Sequence, residues 1–279
     1  MSLTNEIRID DNFFHLLDTF SQAAEQENVQ WLMVGATARV LLLEKLYGWE
    51  PGVRTEDIDF AVQVADWKQY EALCNRLASS GSFRPMQKPA KRFATDKKLV
   101  FDLIPYGGVE EGIKQVYWPP HKNELMTVRG FHSAHEDAVK IMVNSKIEVP
   151  VISPRALCAL KLFAWEERHQ QEPGRDAKDL AYVLKNCHQL YPAAMLHAEH
   201  EEALERNDYD PNLAAISVLG EAVKDLLEQD DYEFLKNVVS EELSQEDVSG
   251  LARDLNKYLN HPDMNNVIKM LESFQQTYK

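Results

Sequence analysis

Cysteine is scarce in this chain of 279 residues: Cys74, Cys158 and Cys187 lie far apart and form no Cys-x-x-Cys pair. An odd, scattered set points away from a disulfide framework and from a zinc knuckle. Long hydrophobic runs are missing too, and no stretch approaches the ~20 consecutive apolar residues of a membrane helix. The opening segment, MSLTNEIRIDDNFF, has neither the basic start nor the apolar core of a secretory signal. These absences predict a soluble, cytoplasmic protein with no membrane partner. Basic charge is also short, with 30 Lys and Arg against 45 Asp and Glu and a net charge of −15. Broad, nonspecific nucleic-acid binding rests on Lys and Arg and is disfavoured. A local basic patch is not: KPAKRF (88–93), with Lys97 and Lys98, is a dense basic cluster. It reads either as a solvated hairpin or as a local contact for RNA. No internal repeat or low-complexity segment is found.

What is present is a full complement of core residues, 44% hydrophobic. Apolar residues at Phe13, Phe14, Leu16, Leu17 and Phe20 recur at helical spacing and predict a helix over 10–27, capped by Asp10 or Asp11. A short buried strand is expected at 30–34, then a helix over 36–47 closed by the turn GWEPG (48–52). A strand at 57–64 and a helix at 66–79 follow. Further strands are expected at 91–95, 98–104, 113–118, 124–130, 138–143 and 147–152, the second ending at PYGG (105–108). From Ser153 onward only helical signals occur, at 153–169, 175–187, 211–229, 231–240, 245–258 and 262–277. Ser153-Pro154 suits a helix start. The expected organisation is α+β: residues 1–152 form a mixed sheet with flanking helices, and 153–279 an all-helical domain.

The segment RTEDIDF (54–60) stands out. Strand side chains alternate, so Asp57 and Asp59 share one side while Ile58 and Phe60 share the other. Such a pair suits a hard divalent cation, which prefers carboxylate oxygens. Asp102 lies within KLVFDLIP (98–105), flanked by apolar residues. A carboxylate there costs desolvation unless it is metal-bound or paired, with Arg39, Arg54 or Arg92 as possible partners. If the two strands are neighbours, Asp57, Asp59 and Asp102 form a three-carboxylate cluster for one or two Mg²⁺ or Mn²⁺ ions. Gly35 follows the strand 30–34 and opens a helix. Its missing Cβ lets a ligand approach, and helix N–H groups favour phosphate. Thr37 offers a hydroxyl. An ordinary turn accounts for the same pattern.

In the helical half, Lys161, Trp165 and Arg168 share one helix face at i, i+4 and i+7. Asp176 and Asp179 follow at i, i+3. The pattern fits a phosphate-binding surface or ion pairing between two helices. His197 and His200 share a polar helix and read as a solvated face, since ligation needs further convergent donors.

Taken as an ordered set, these residues resemble a known family. The elements are Gly35-Ala36-Thr37-Ala38, Arg54-Thr55-Glu56-Asp57-Ile58-Asp59-Phe60, Phe101-Asp102-Leu103, Lys161-Leu162-Phe163-Ala164, Arg168, and Arg175-Asp176-Ala177-Lys178-Asp179-Leu180. The pattern is similar to that of the AbiEii/AbiGii toxin-like nucleotidyltransferases, within the DNA-polymerase-β-type superfamily. The match spans about residues 30–186. Two positions depart from the family: Ala36 replaces the second glycine of the usual pair, and Glu56 replaces a Lys often found before the first aspartate.

The resemblance implies a nucleotidyltransferase-like mixed sheet with flanking helices and a helical C-terminal domain. It implies transfer of an NMP from an NTP to an acceptor, tRNA or another RNA, with toxin-like growth arrest and a cognate antitoxin as partner. Asp57, Asp59 and Asp102 would bind Mg²⁺ or Mn²⁺ and, with Lys161, carry catalysis. Gly35, Ala36 and Thr37 would receive the triphosphate; Lys161, Arg168, Asp176 and Asp179 would serve the nucleotide side. A second reading is a nucleotidyltransferase fold without turnover, acting as a nucleotide- or protein-binding module.

Overall fold

The computed structural model describes residues 5–55, 57–86, 92–118, 125–244 and 249–276. The chain divides into two compact units, Met1–Ser153 and Pro154–Lys279.

The first unit is built on a mixed sheet. In chain order its elements are β1 (Glu6–Ile7), α1 (Asp11–Gln26), β2 (Gln30–Val34), α2 (Gly35–Arg39), β3 (Asp57–Val64), α3 (Trp67–Ser79), β4 (Phe83–Pro85), β5 (Arg92–Thr95) and β6 (Val100–Gly107). Then come β7 (Gln115–Tyr117), β8 (Leu125–Thr127), α4 (Phe131–Glu136), β9 (Val139–Val143) and β10 (Ile147–Val151). Eight strands pair in the order β1-β9-β10-β2-β3-β6-β5-β4, while β7 and β8 form a separate hairpin. The pairs β3/β6, β10/β2 and β1/β9 are parallel; the others are antiparallel.

One face of the central strands carries an aromatic core. Phe20 of α1 stacks on Phe60 of β3 at 4.0 Å between ring centroids, and Phe93 of β5 stacks on Phe101 of β6 at 5.4 Å. Phe60 and Phe101 are essentially inaccessible to solvent. Removing such a ring costs ~3–5 kcal/mol, so this side anchors the strands. By alternation the opposite face carries Asp57, Asp59 and Asp102. Asp10 caps α1 by accepting from the N–H groups of Asn12 and Phe13, and Asp66 caps α3 through Gln69 N–H.

Several elements differ from the sequence expectation. The expected helix 36–47 is α-helical only to Arg39 and continues as a π-helix over Val40–Leu46. Arg39 is fully buried and pairs with Glu44 at 2.5 Å, a contact at i, i+5 that the wider π turn brings together. Glu44 also accepts from Gly52 N–H, tying the GWEPG turn to this helix. PYGG does not end β6 at residue 104; the strand runs through Gly107. Among the described residues, β5 pairs with β6 up to Asp102, and Pro105 lies opposite Val62 of β3. The chain turns only at Gly108, whose missing Cβ makes room for the Ala65 carbonyl: a Cβ would lie 1.9 Å from that oxygen. The short elements β1, β4 and α4 carried too few residues for a periodic signal. The Ser153 hydroxyl donates to Asp137, and Pro154 opens the next helix as expected.

Among the described residues the second unit is helical: α5 (Pro154–Arg168), α6 (Ala177–Lys185), a 3₁₀ turn at Cys187–Gln189, α7 (Ala193–Glu199), α8 (Glu201–Arg206), α9 (Pro211–Leu226), α10 (Gln229–Leu243), α11 (Gly250–Leu259) and α12 (Met264–Gln275). The sequence reading did not resolve α7 and α8. The expected helix 245–258 begins at Gly250 among the described residues, and 245–248 lie outside them. His197 is exposed near the end of α7, and His200 lies at the break before α8.

Candidate active site

The carboxylates of β3 and β6 are set by register. Asp59 lies directly beside Asp102 across the parallel pair, and Asp57 beside Val100. Side chains at paired positions emerge on the same face, so Asp59 and Asp102 are neighbours, with Asp57 two residues along. Asp57 is exposed, and Asp59 and Asp102 are half-buried.

Gly35 lies against this face. β2 runs antiparallel to β3 with Val34 opposite Asp59, so the following glycine meets the Asp59 side chain. Gly35 has φ +72°, and a Cβ there would sit 2.3 Å from Asp59 Oδ2. Both the backbone angle and the close approach require glycine. α2 starts at this residue, and among the described residues no side chain caps its N-terminus. Its first N–H groups therefore remain the natural donors for an anion. Thr37 departs from expectation: its hydroxyl donates to the Asp57 carbonyl at 2.5 Å, so its proton is engaged in holding β3. Ala36 is buried, and Glu56 lies outside the described residues.

Asp102 has an arginine partner. Arg92 of β5 faces it in register, and the guanidinium donates twice, Nε to Oδ1 and Nη2 to Oδ2, both at 2.8 Å. The Arg92 pKa is raised first by this hydrogen bonding, against a desolvation cost, with the charges of Asp102, Asp57 and Asp59 adding to it. Arg92 thus senses all three carboxylates. It was one of the three partners that the apolar surroundings of Asp102 suggested. Among the described residues, no group of three or more His, Cys, Asp or Glu side chains is assembled as a metal site. Of the basic cluster, Lys97 and Lys98 are exposed at the β5–β6 turn, while Lys88 and Lys91 lie outside the described residues.

In the helical unit the second group of expected residues forms one ionic network. Lys161 Nζ lies 2.7 Å from Asp179 and 3.4 Å from Asp176, and Arg168 grips Asp176 with two bonds of 2.6 and 2.7 Å. Both aspartates are buried. Burial alone would raise the Asp176 pKa, but Arg168 and Lys161 outweigh it and hold the carboxyl below its ordinary range. The ion-pairing reading of these residues is therefore realised. Sequence reasoning missed the brace behind the network. Asp254 of α11 accepts from Trp165 Nε1 and from Gly174 N–H, both at 3.0 Å, and pairs with Lys257. The available signal was a carboxylate on the face of α11 that buries Leu251 and Leu255.

A polar groove of about 580 Å³ lies between α1 and α3, lined in part by Gln22, Gln26, Asn75 and Arg76. It is not bordered by Asp57, Asp59 or Asp102.

A parallel strand pair bearing adjacent aspartates thus lies beside a strand–glycine–helix junction. The family model described as "Nucleotidyl transferase AbiEii toxin, Type IV TA system" matches residues 16–274, and the chain belongs to that family. Membership rests on this family match. No match is found among curated proteins. Among solved structures, the solution structure of the antibiotic-resistance factor ANT(2'')-Ia is 12% identical with a TM-score of 0.42, the match covering 72% of this chain and 99% of that one. The Thermotoga maritima CCA-adding enzyme complexed with tRNA is 14% identical with a TM-score of 0.26, covering 95% and 79%.

Proposed function

We propose that this nucleotidyltransferase moves an NMP from an NTP to an RNA hydroxyl, tRNA among the candidate acceptors, with a divalent cation, Mg²⁺ or Mn²⁺. The observation that carries this reading is the in-register pair Asp59 and Asp102, with Asp57 on the same face and Gly35 against it. The oxygen donors of Asp57 and Asp59 suit a hard cation, which characteristically takes one or two carboxylates together with substrate phosphates. When bound, such an ion offsets charge on the phosphates during transfer.

The remaining roles fall to the chain itself. N–H groups at Gly35, Ala36 and Thr37 would receive the triphosphate. Asp102 would orient the acceptor hydroxyl and take its proton on a lone pair that the Arg92 fork leaves open. The hydroxyl oxygen bonds to the α-phosphorus, the bond to the bridging oxygen breaks, and pyrophosphate departs. Positioning and electrostatics do most of the work in such transfers, so few groups suffice. Within the helical unit, Lys161, Arg168, Asp176 and Asp179 hold one another in an ionic network. Lys97 and Lys98 give the acidic chain a local contact for RNA. Family membership supports a cognate antitoxin as regulator of toxicity.

The test is incubation with each α-labelled NTP, Mg²⁺ or Mn²⁺, and total cellular RNA. Label should enter an RNase-sensitive product with one NTP preferred, and Asp57→Asn should abolish it. Label that survives RNase, or that Asp57→Asn leaves intact, would overturn the acceptor or the site respectively.

A further inference from the structure

We propose that Arg92 takes the place of a second cation in this site, so that the chain binds one divalent ion, at Asp57 and Asp59, rather than a pair. The inference rests on the reading above that these two aspartates hold the metal. Three observations support it. First, both Asp102 oxygens accept from the Arg92 fork, each at 2.8 Å. An ion bridging Asp102 to the β3 carboxylates would have to share one of those oxygens with a planar, permanently charged, two-point donor. Second, Arg92 is held at this place by its backbone, because β5 pairs with β6 and sets Arg92 opposite Asp102. Third, the guanidinium interacts electrostatically with Asp57 and Asp59 as well as Asp102. It therefore already neutralises part of the cluster, and it repels a divalent ion placed beside Asp102. Asp57 and Asp59 stand two residues apart on one face of β3. Two carboxylates plus phosphate and water oxygens complete the octahedral shell of a single Mg²⁺. Arg92 then supplies, beside Asp102, the positive charge that a second ion supplies in paired-metal sites.

The experiment counts bound Mn²⁺ by the electron paramagnetic resonance signal of the free ion, titrated into the full chain with Mn²⁺ alone. The wild type should bind one ion, Arg92→Met should gain a second, and Arg92→Lys, which keeps the charge, should stay at one. Two ions in the wild type, or one in a folded Arg92→Met, would overturn the proposal. Should Arg92→Met fail to fold, Asp102→Asn decides. Its Mn²⁺ affinity should stay within about twofold of wild type, because Asp102 is not a ligand. A clear loss there overturns the proposal. Asp57→Asn separates the two readings. If the wild-type ion persists in Asp57→Asn, the metal site itself is misassigned; if it disappears while the wild type binds two, only the role of Arg92 fails.

Discussion

The Asp59 carboxylate rests on the bare Cα of Gly35, so close that a Cβ would lie 2.3 Å from Oδ2. The contact joins the carboxylate face of β3 to the first turn of α2. Any side chain at residue 35 must push Asp59 aside and also adopt φ near +72°. We expect Gly35→Ala to cost ~1–3 kcal/mol of strain and to abolish transfer. Denaturant unfolding and the labelled-NTP assay check this together. Full activity in a folded Gly35→Ala would separate Asp59 from catalysis.

Asp57 offers a cleaner dissection, because it is exposed at the start of β3. Asp57→Asn should change metal-free stability by no more than ~0.5 kcal/mol, as surface substitutions usually do. It should also remove the melting-temperature rise that Mg²⁺ with NTP gives the wild type through ligand linkage. An equal ligand shift in the two proteins would rule out Asp57 as a metal ligand.

Lys161 has a structural duty whatever its role toward nucleotide. Its ammonium faces two buried carboxylates, Asp176 and Asp179. Lys161→Met strands buried negative charge and should destabilise by ~3–5 kcal/mol in urea unfolding. A loss of NTP binding in this variant is therefore informative only where the folded fraction is measured alongside.

Stability should also fall in acid, in the helical unit. Asp176 and Asp254 both have folded pKa values below the ordinary 3.8. For a depressed carboxyl the stabilisation is complete above the unfolded pKa and is lost as pH falls through the folded one. Unfolding midpoints should be steady from neutrality to about pH 5 and drop below about pH 4. Trp165 is the one tryptophan of residues 154–279, so its resonance in a 5-fluorotryptophan-labelled chain reports on this unit. No loss of stability between about pH 4 and 2 would contradict the buried ion pairs.

The exposed pair Lys97 and Lys98 should contact the acceptor. Charge reversal of both should weaken RNA binding and flatten its salt dependence, measured by filter binding over a salt series. Unchanged binding would place the acceptor elsewhere.

Much of this could be read from residue order alone. Alternation put Asp57 and Asp59 on one face, because the period of a strand is local. The apolar flanks of Asp102 announced a carboxylate in need of a partner, because desolvation follows from immediate neighbours. The Gly35 junction, a cap at Asp10 or Asp11 and the helical tail are likewise local patterns.

Pairing was not legible, because register is a long-range property. Only the sheet places Asp102 beside Asp59 and, through β5, opposite Arg92. The sequence by itself named three arginines able to satisfy Asp102, and nothing local ranks them. The same holds for Glu44, which the π-helix brings to Arg39, and for Asp254, whose partners Trp165 and Gly174 lie 89 and 80 residues away. Local chemistry determined which residues needed partners; tertiary structure decided which they received, since burial and register act between segments that share no sequence signal.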